Sequence, residues 1–200
     1  MITVTKEQIN KIAPSATDKA IDLFLPFINQ FAPEYEVNTV MRMASYLSEV
    51  LHESGCFRYV RELWGPTAQQ KKYERDFKQP WKAGLTPADR NYVAYMLGNS
   101  QAGDGKILKG VGLIQITGRT NLLACSTDLF GDDRLLRNPE LLTIPEYAVK
   151  SSFWFWKKHN LNKAADTPGI LDDRKKVNGG TIGLADVQKL YDNCMQVLTT

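Results

Sequence analysis

The sequence predicts a mainly α-helical chain with a small β element, folded as one domain. Several segments carry apolar residues at helical spacing, one short run near residue 114 is β-rich, and no internal repeat, low-complexity tract or Gly/Ser linker divides the chain. At 200 residues the chain is long enough to bury a core without staples. Its 43% hydrophobic and 24% charged residues, with nine prolines, place it among ordinary globular proteins rather than disordered ones.

The elements follow in order. Ser15-Ala16-Thr17-Asp18 resembles a helix start, and Ile21, Phe24, Leu25 and Ile28 then fall on one face, which predicts a helix over 17–31 with Pro26 as a kink point. Val37, Val40, Met41, Ala44, Leu47, Val50 and Leu51 follow the i, i+3, i+4, i+7 rule behind the caps Asn38 and Thr39, giving the clearest helix, which ends near Gly55. Between Gly65 and Arg90 the apolar period fails while Pro66, Pro80, Gly84 and Pro87 recur, so this stretch reads as loops with short helical pieces. Residues 110–117 read as a strand with Leu113, Gln115 and Thr117 on one face and Ile114 and Ile116 on the other. Two further helices are predicted over 146–159 and 184–198.

Composition excludes several functions. No run approaches the roughly 18 uninterrupted apolar residues of a membrane span. The start lacks a basic region followed by an apolar one and a small-residue cleavage site, so the expectation is cytoplasmic synthesis without a signal peptide. Cys56, Cys125 and Cys194 are odd in number and scattered, which suits buried thiols better than a disulfide framework. A net charge of +3 does not announce nucleic-acid binding, though it favours approach to an anionic envelope polymer. Lys71-Lys72 and Arg174-Lys175-Lys176 read as solvated faces, since no aromatics interleave them.

Glu53, in His52-Glu53-Ser54-Gly55, sits where the clearest helix ends. A carboxyl half-buried there keeps its proton near neutrality, as a general acid for glycosidic cleavage must, although a solvated helix-end glutamate is the commoner fate of such a residue. A zinc-protease reading fails because position 56 is Cys and the only other histidine is His159. An inverting glycosidase needs a second carboxylate roughly 6.5–9.5 Å away. Glu62 follows, but one straight helix would put it about 13 Å off, so a turn at Gly55 and a return are required. Glu49, one turn back on the same helix face, and Glu74, in a loop, remain alternatives, and an exposed pairing with Arg58 or Arg61 remains open for Glu62. Gly103-Asp104-Gly105 reads as a turn rather than a calcium loop, and Gly110-Val111-Gly112 lacks the rest of a nucleotide fingerprint. Gln115 and Thr117 can hydrogen-bond sugar hydroxyls or line a solvated edge. Phe153-Trp154-Phe155-Trp156 fits core packing better than sugar stacking, and Asn178-Gly179-Gly180 is a turn with an available amide.

Taken in order, these motifs resemble glycoside hydrolase family 19. The match runs through His52-Glu53-Ser54-Gly55 with Phe57, Glu62, Leu97-Gly98-Asn99, Gly103-Asp104-Gly105, Gly112-Leu113-Ile114-Gln115-Ile116-Thr117-Gly118-Arg119 with Asn121, Asn138-Pro139-Glu140-Leu141-Leu142, Phe155-Trp156 and Asn178-Gly179-Gly180. It covers about residues 36–198 and looks most like the phage and bacterial endolysin branch. The resemblance implies a lysozyme-like, two-lobed fold with a central cleft and an inverting hydrolase of β-1,4 bonds beside N-acetylated amino sugars, with no metal or organic cofactor. It assigns the acid to Glu53, the second carboxylate to Glu62, the water-positioning hydroxyl to Thr117, and substrate-contacting amides to Gln115, Asn121 and Asn178. The sequence departs at Val111, where the family usually has Arg, which takes a charge from beside the expected cleft, and at Leu122, where an aromatic often stands.

The expected protein is therefore a single catalytic domain over 1–200, with N-terminal helices over 1–35 packed on it and no separate wall-binding module. Its expected substrate is the glycan strand of peptidoglycan, reached by a monomer through a membrane lesion made by another protein. Chitin oligomers are the alternative substrate. A catalytically silent saccharide-binding protein and a toxin-like effector complete the readings.

Overall fold

The computed structural model describes residues 2–199, and Met1 and Thr200 lie outside the described residues. Eleven α-helices dominate these: α1 Lys6–Ile12, α2 Asp18–Phe31, α3 Val40–Glu53, α4 Tyr92–Met96, α5 Asp104–Ile107, α6 Arg119–Phe130, α7 Arg134–Arg137, α8 Pro145–Lys158, α9 Leu161–Ala165, α10 Leu171–Asn178 and α11 Leu184–Leu198. Short 3-10 turns lie at Gln70–Tyr73 and Pro139–Thr143. No helix among the described residues is long and apolar enough to cross a membrane.

Side-chain oxygens set the first three helix starts by taking up free backbone N–H groups. Thr5 and Gln8 form a reciprocal box on α1. Thr17 accepts from the Ala20 amide on α2, and Thr39 from the Arg42 amide on α3. The long amphipathic helices fall where their periodicity places them, α11 over the predicted residues, and α2 continues through Pro26.

The buried apolar side chains form two clusters. The larger lies among α1, α2, α3, α8 and α11, with α3 along α11 and α2 along α8. The smaller gathers Val111, Ile114, Ile116, Leu122, Cys125, Leu135 and Leu142. Helix α8 serves both, because Phe153 and Trp156 enter the first cluster, Trp154 enters the second, and Phe155 packs against each. The aromatic quartet is thus core, with Phe153 stacked 4.1 Å from Tyr46. Cys56, Cys125 and Cys194 are all free thiols.

Two expectations need correction. Residues 110–117 do not form a strand but a tight reversal, in which Val111 and Ile116 exchange backbone hydrogen bonds of 2.8 and 3.2 Å. Its turn needs left-handed backbone at Gly112 (φ 82°) and at Gln115 (φ 55°), and those angles break the period-2 alternation that the residue types imitate. Only isolated bridges remain as the β element, the second pairing Arg61 with Val111. Position 111 also faces the core rather than solvent. Val111 is fully buried in the second cluster, so an apolar residue there is a packing choice.

Candidate active site

Glu53 is the last residue of α3 and Glu49 lies one turn before it, so their side chains share a face. Between them reaches Arg174 from α10. Its Nη1 donates to Glu49 Oε2 at 2.6 Å and to Glu53 Oε1 at 2.7 Å, and its Nε donates to the Ile182 carbonyl at 2.8 Å. Arg174 is 1% exposed, which corrects the reading of its basic run as wholly solvated, whereas Lys175 and Lys176 do face solvent. Ile170, Arg174 and Val177 fall on one helical stripe, the signal that could have placed this cation inward. Burial works against its charge, but the Glu53 and Glu49 carboxylates outweigh burial and raise its pKa. The Glu53 side chain keeps 22% of its surface open, as a group meeting a substrate must. His52 lies against Gly183, and burial, followed by the nearby Arg174, lowers its imidazole below its ordinary pKa.

Immediately after Glu53 the chain reverses. Gly55, Cys56 and Phe57 are all left-handed, with φ of 57°, 60° and 65°. Such backbone is costly for Cys and Phe, and the surroundings hold it. Ser54 Oγ accepts from the Phe57 amide at 2.8 Å, the Cys56 amide donates to the Leu51 carbonyl at 2.6 Å, and the Phe57 ring is buried against Phe24. The required turn is therefore present. The chain then runs to Arg61, which bridges to Val111.

That bridge sets Glu62 beside Gly110. The Glu62 amide donates to the Gly110 carbonyl at 2.8 Å, and the Gly110 amide donates back to Glu62 Oε2 at 3.0 Å. Gln70 Nε2 donates to Glu62 Oε1 at 2.9 Å, and the Tyr73 phenol lies near the carboxylate. Burial, with the Glu62 charge, raises the Tyr73 phenol pKa. Arg61 turns to Glu140 at 2.9 Å, so the expected exposed pairing of Glu62 with Arg61 is not formed.

Gln115 and Thr117 close on the same glycine. A Cβ at Gly110 would stand 2.7 Å from Gln115 Oε1 and 3.2 Å from Thr117 Oγ1, a space only glycine leaves open. Thr117 Oγ1 donates to the Gln115 carbonyl at 2.9 Å, and Asn121, exposed at the start of α6, donates to the Thr117 carbonyl at 2.9 Å. The structure thus gathers Glu62, Gln115, Thr117 and Asn121 around one reversal. Asn178 goes with the other carboxylate, exposed at the end of α10 one turn beyond Arg174.

Both alternative carboxylates are otherwise engaged. Glu74 accepts from the Gly103 and Gly105 amides at 2.6 and 2.9 Å, and Glu49 is fully buried. The Leu97-Gly98-Asn99 and Gly103-Asp104-Gly105 motifs serve as bracing. Asn99 joins the Tyr73 carbonyl to the Arg119 amide, and Arg119 grips the buried Asp104 carboxylate at 2.5 and 2.9 Å. Sequence reasoning missed Arg174, Gln70 and Tyr73. Gln70 and Tyr73 lie in the short 3-10 turn inside a stretch whose apolar period fails, so no local pattern marks them.

No protein-family model matches the chain. The chain is 33% identical over 161 residues to a glycosyl hydrolase family 19 domain-containing protein of Haemophilus influenzae, covering 76% of this chain and 77% of that one. It is 28% identical over 184 residues to an endochitinase of Arabidopsis thaliana, covering 88% of this chain but only 60% of the plant protein. Among solved structures, chitinase C from Streptomyces griseus superposes with a TM-score of 0.65 at 20% identity, covering 98% of this chain and 93% of that one. A class IV family 19 chitinase from Zea mays gives 0.63 at 18% identity, with the same coverage.

Proposed function

The chain belongs to glycoside hydrolase family 19 and has that family's mainly helical, lysozyme-like fold, and on this premise we propose that it cleaves the glycan strands of peptidoglycan by inversion, as an endolysin does. What supports the mechanism is that the two candidate carboxylates are held in unlike ways. Glu53 is anchored from behind by a buried guanidinium and open in front, while Glu62 is held by a backbone amide beside Thr117. In this reading Glu53 protonates the leaving glycosidic oxygen. Glu62 takes a proton from the attacking water, and Thr117 Oγ1 orients that water. Gln115, Asn121 and Asn178 bind the sugar amides and hydroxyls.

Family membership alone supports a chitinase-like glycosidase. The peptidoglycan assignment is supported by the endolysin-like motif set and by a sequence pI near 8.7, which suits an anionic wall polymer. An enzyme of this kind made in the cytoplasm meets its substrate through a membrane lesion made by another protein. Chitin oligomers are the second reading, favoured by the chitinase folds that the chain superposes on.

Reducing-end release from purified peptidoglycan and from chitin oligomers tests both, with the anomer of the fresh product read by NMR before mutarotation. Inverted product from peptidoglycan, lost in a folded Glu53→Gln variant, is the expected result. Release from chitin alone moves the assignment to the second reading. No release from either by folded wild type removes the enzymatic reading.

A further inference from the structure

Two carboxyl groups, Glu49 and Asp173, are fully buried behind the proposed acid, and the Arg174 guanidinium contacts Glu49 and Glu53. Glu49 Oε1 and both oxygens of Asp173 have no hydrogen-bond partner, and Arg174 supplies the one buried positive charge, shared between Glu49 and Glu53. Burying an unpaired carboxylate costs several kcal/mol, so such a group holds its proton instead. Asp173 has no cation in contact, so its burial favours the protonated form. The remaining pair, Glu49 and Glu53, faces a single cation through a single nitrogen, and the arrangement balances when that pair carries one negative charge and one proton.

We propose that Glu49 is a positioning residue for the reaction, sharing one proton with Glu53 across Arg174 and so keeping Glu53 able to act as the acid at neutral pH. This rests on the assignment of Glu53 as the acid. When Glu49 is ionised it satisfies Arg174, and Glu53 carries the proton for the leaving group. When Glu49 holds the proton, Arg174 draws the negative charge onto Glu53. Burial pushes the Glu49 carboxyl up to about 7 in spite of Arg174, and burial with the neighbouring Glu49 charge pushes Asp173 to about 7. The other charged or titratable groups around the cluster are His52 on α3, Asp172 and Lys176 on α10, and Tyr191 and Asp186 on α11. Of these, only His52 titrates ordinarily near neutrality, and burial lowers it.

The test is the pH–rate profile of Glu49→Gln, which keeps the shape of the side chain and removes its charge. With no second carboxylate to satisfy Arg174, Glu53 must supply the balance. The expected result is a descending limb moved to lower pH by about one to three units, with the rate restored on acidification. A lowered rate over an unmoved limb, as a purely structural Glu49 would give, overturns the proposal. A second measurement needs no variant. In wild type labelled with carboxyl-13C glutamate, one buried glutamate should titrate near neutrality, and a spectrum in which every glutamate is ionised by pH 6 overturns the proposal. Glu53→Gln separates the two failures, since wild-type activity in that variant would remove the acid assignment while leaving the carboxyl titration to stand or fall by itself.

Discussion

At the residue scale, Arg174 decides both the stability and the chemistry of the α3–α10 contact. Replacing it with alanine strands the Glu49 carboxylate in the core, and breaking a buried pair from one side costs about 3–5 kcal/mol. An unfolding free energy lowered by that amount at pH 7, read from denaturant melts, is expected, with a smaller loss at pH 4, where Glu49 can hold a proton and needs no partner. The same buried acids give the whole chain a pH signature. Glu49 and Asp173 keep their protons to about pH 7 when folded, against ordinary values of 4.5 and 3.8 when unfolded. Between those limits the unfolded chain binds fewer protons, so stability falls as pH rises from about 4 to about 7. Calorimetric melting temperatures across that range should decline, and Asp173→Asn should flatten the slope. A rise would show that both groups are ionised in the fold. Glu53 was readable from its motif and its helix-end position. Arg174 was hidden in a basic run, because charge is the louder signal and one inward position on an eight-residue helix is the quieter one.

At the scale of elements, the 110–118 reversal holds Glu62, Gln115 and Thr117 in register, and Gly110 is its tightest point. Gly110→Ala places a methyl 2.7 Å from Gln115 Oε1, 3.1 Å from Gln115 Cβ and 3.2 Å from Thr117 Oγ1, so that relief requires both side chains to leave their present positions. The expected outcome is a loss of turnover of about 100-fold, with a melting temperature within a few degrees of wild type, measured by reducing-end release and calorimetry. Equal turnover would mean that the two side chains do not act on the substrate. Legibility at this scale follows the physics of patterning. Helices α2, α3 and α11 were readable because each buries one apolar stripe, and α8 because its apolar residues recur at helical spacing although it faces both clusters. Helix α6 was not, since Leu122, Cys125 and Ser126 turn inward while Leu123 stays exposed, leaving no clean stripe. The reversal was misread as a strand because its apolar residues are buried on both sides, Leu113 in the larger cluster and Val111, Ile114 and Ile116 in the smaller, and left-handed angles at Gly112 and Gln115 leave no mark in residue type beyond one glycine.

At the scale of the molecule, the proposed acid and the proposed base depend on different cores. Glu53 and Arg174 hang on the larger cluster through α3 and α10, while Glu62 and Thr117 are set by the reversal whose Val111, Ile114 and Ile116 belong to the smaller one, with Leu113 alone of the reversal entering the larger. Helix α8 ties the two together through adjacent aromatic residues, so the relative placement of the carboxylates is a packing property of that helix. Trp154 is its anchor in the smaller cluster, 6% exposed, with its indole N–H donating to Asp128 at 2.7 Å. Truncation to alanine empties the ring volume and leaves the Asp128 oxygen without this donor, a loss of about 3–5 kcal/mol. Because Phe153 and Trp156 still hold α8 to α2 and α3, that loss falls on the smaller cluster alone. Wild type should therefore lose helicity and activity in one transition. Trp154→Ala should lose activity several degrees before its far-ultraviolet helical signal, as the reversal carrying Glu62 and Thr117 loosens while the α2–α3–α8–α11 core stays folded. Coincident transitions in the variant would mean that the clusters melt as one unit, and that α8 couples them through more than Trp154.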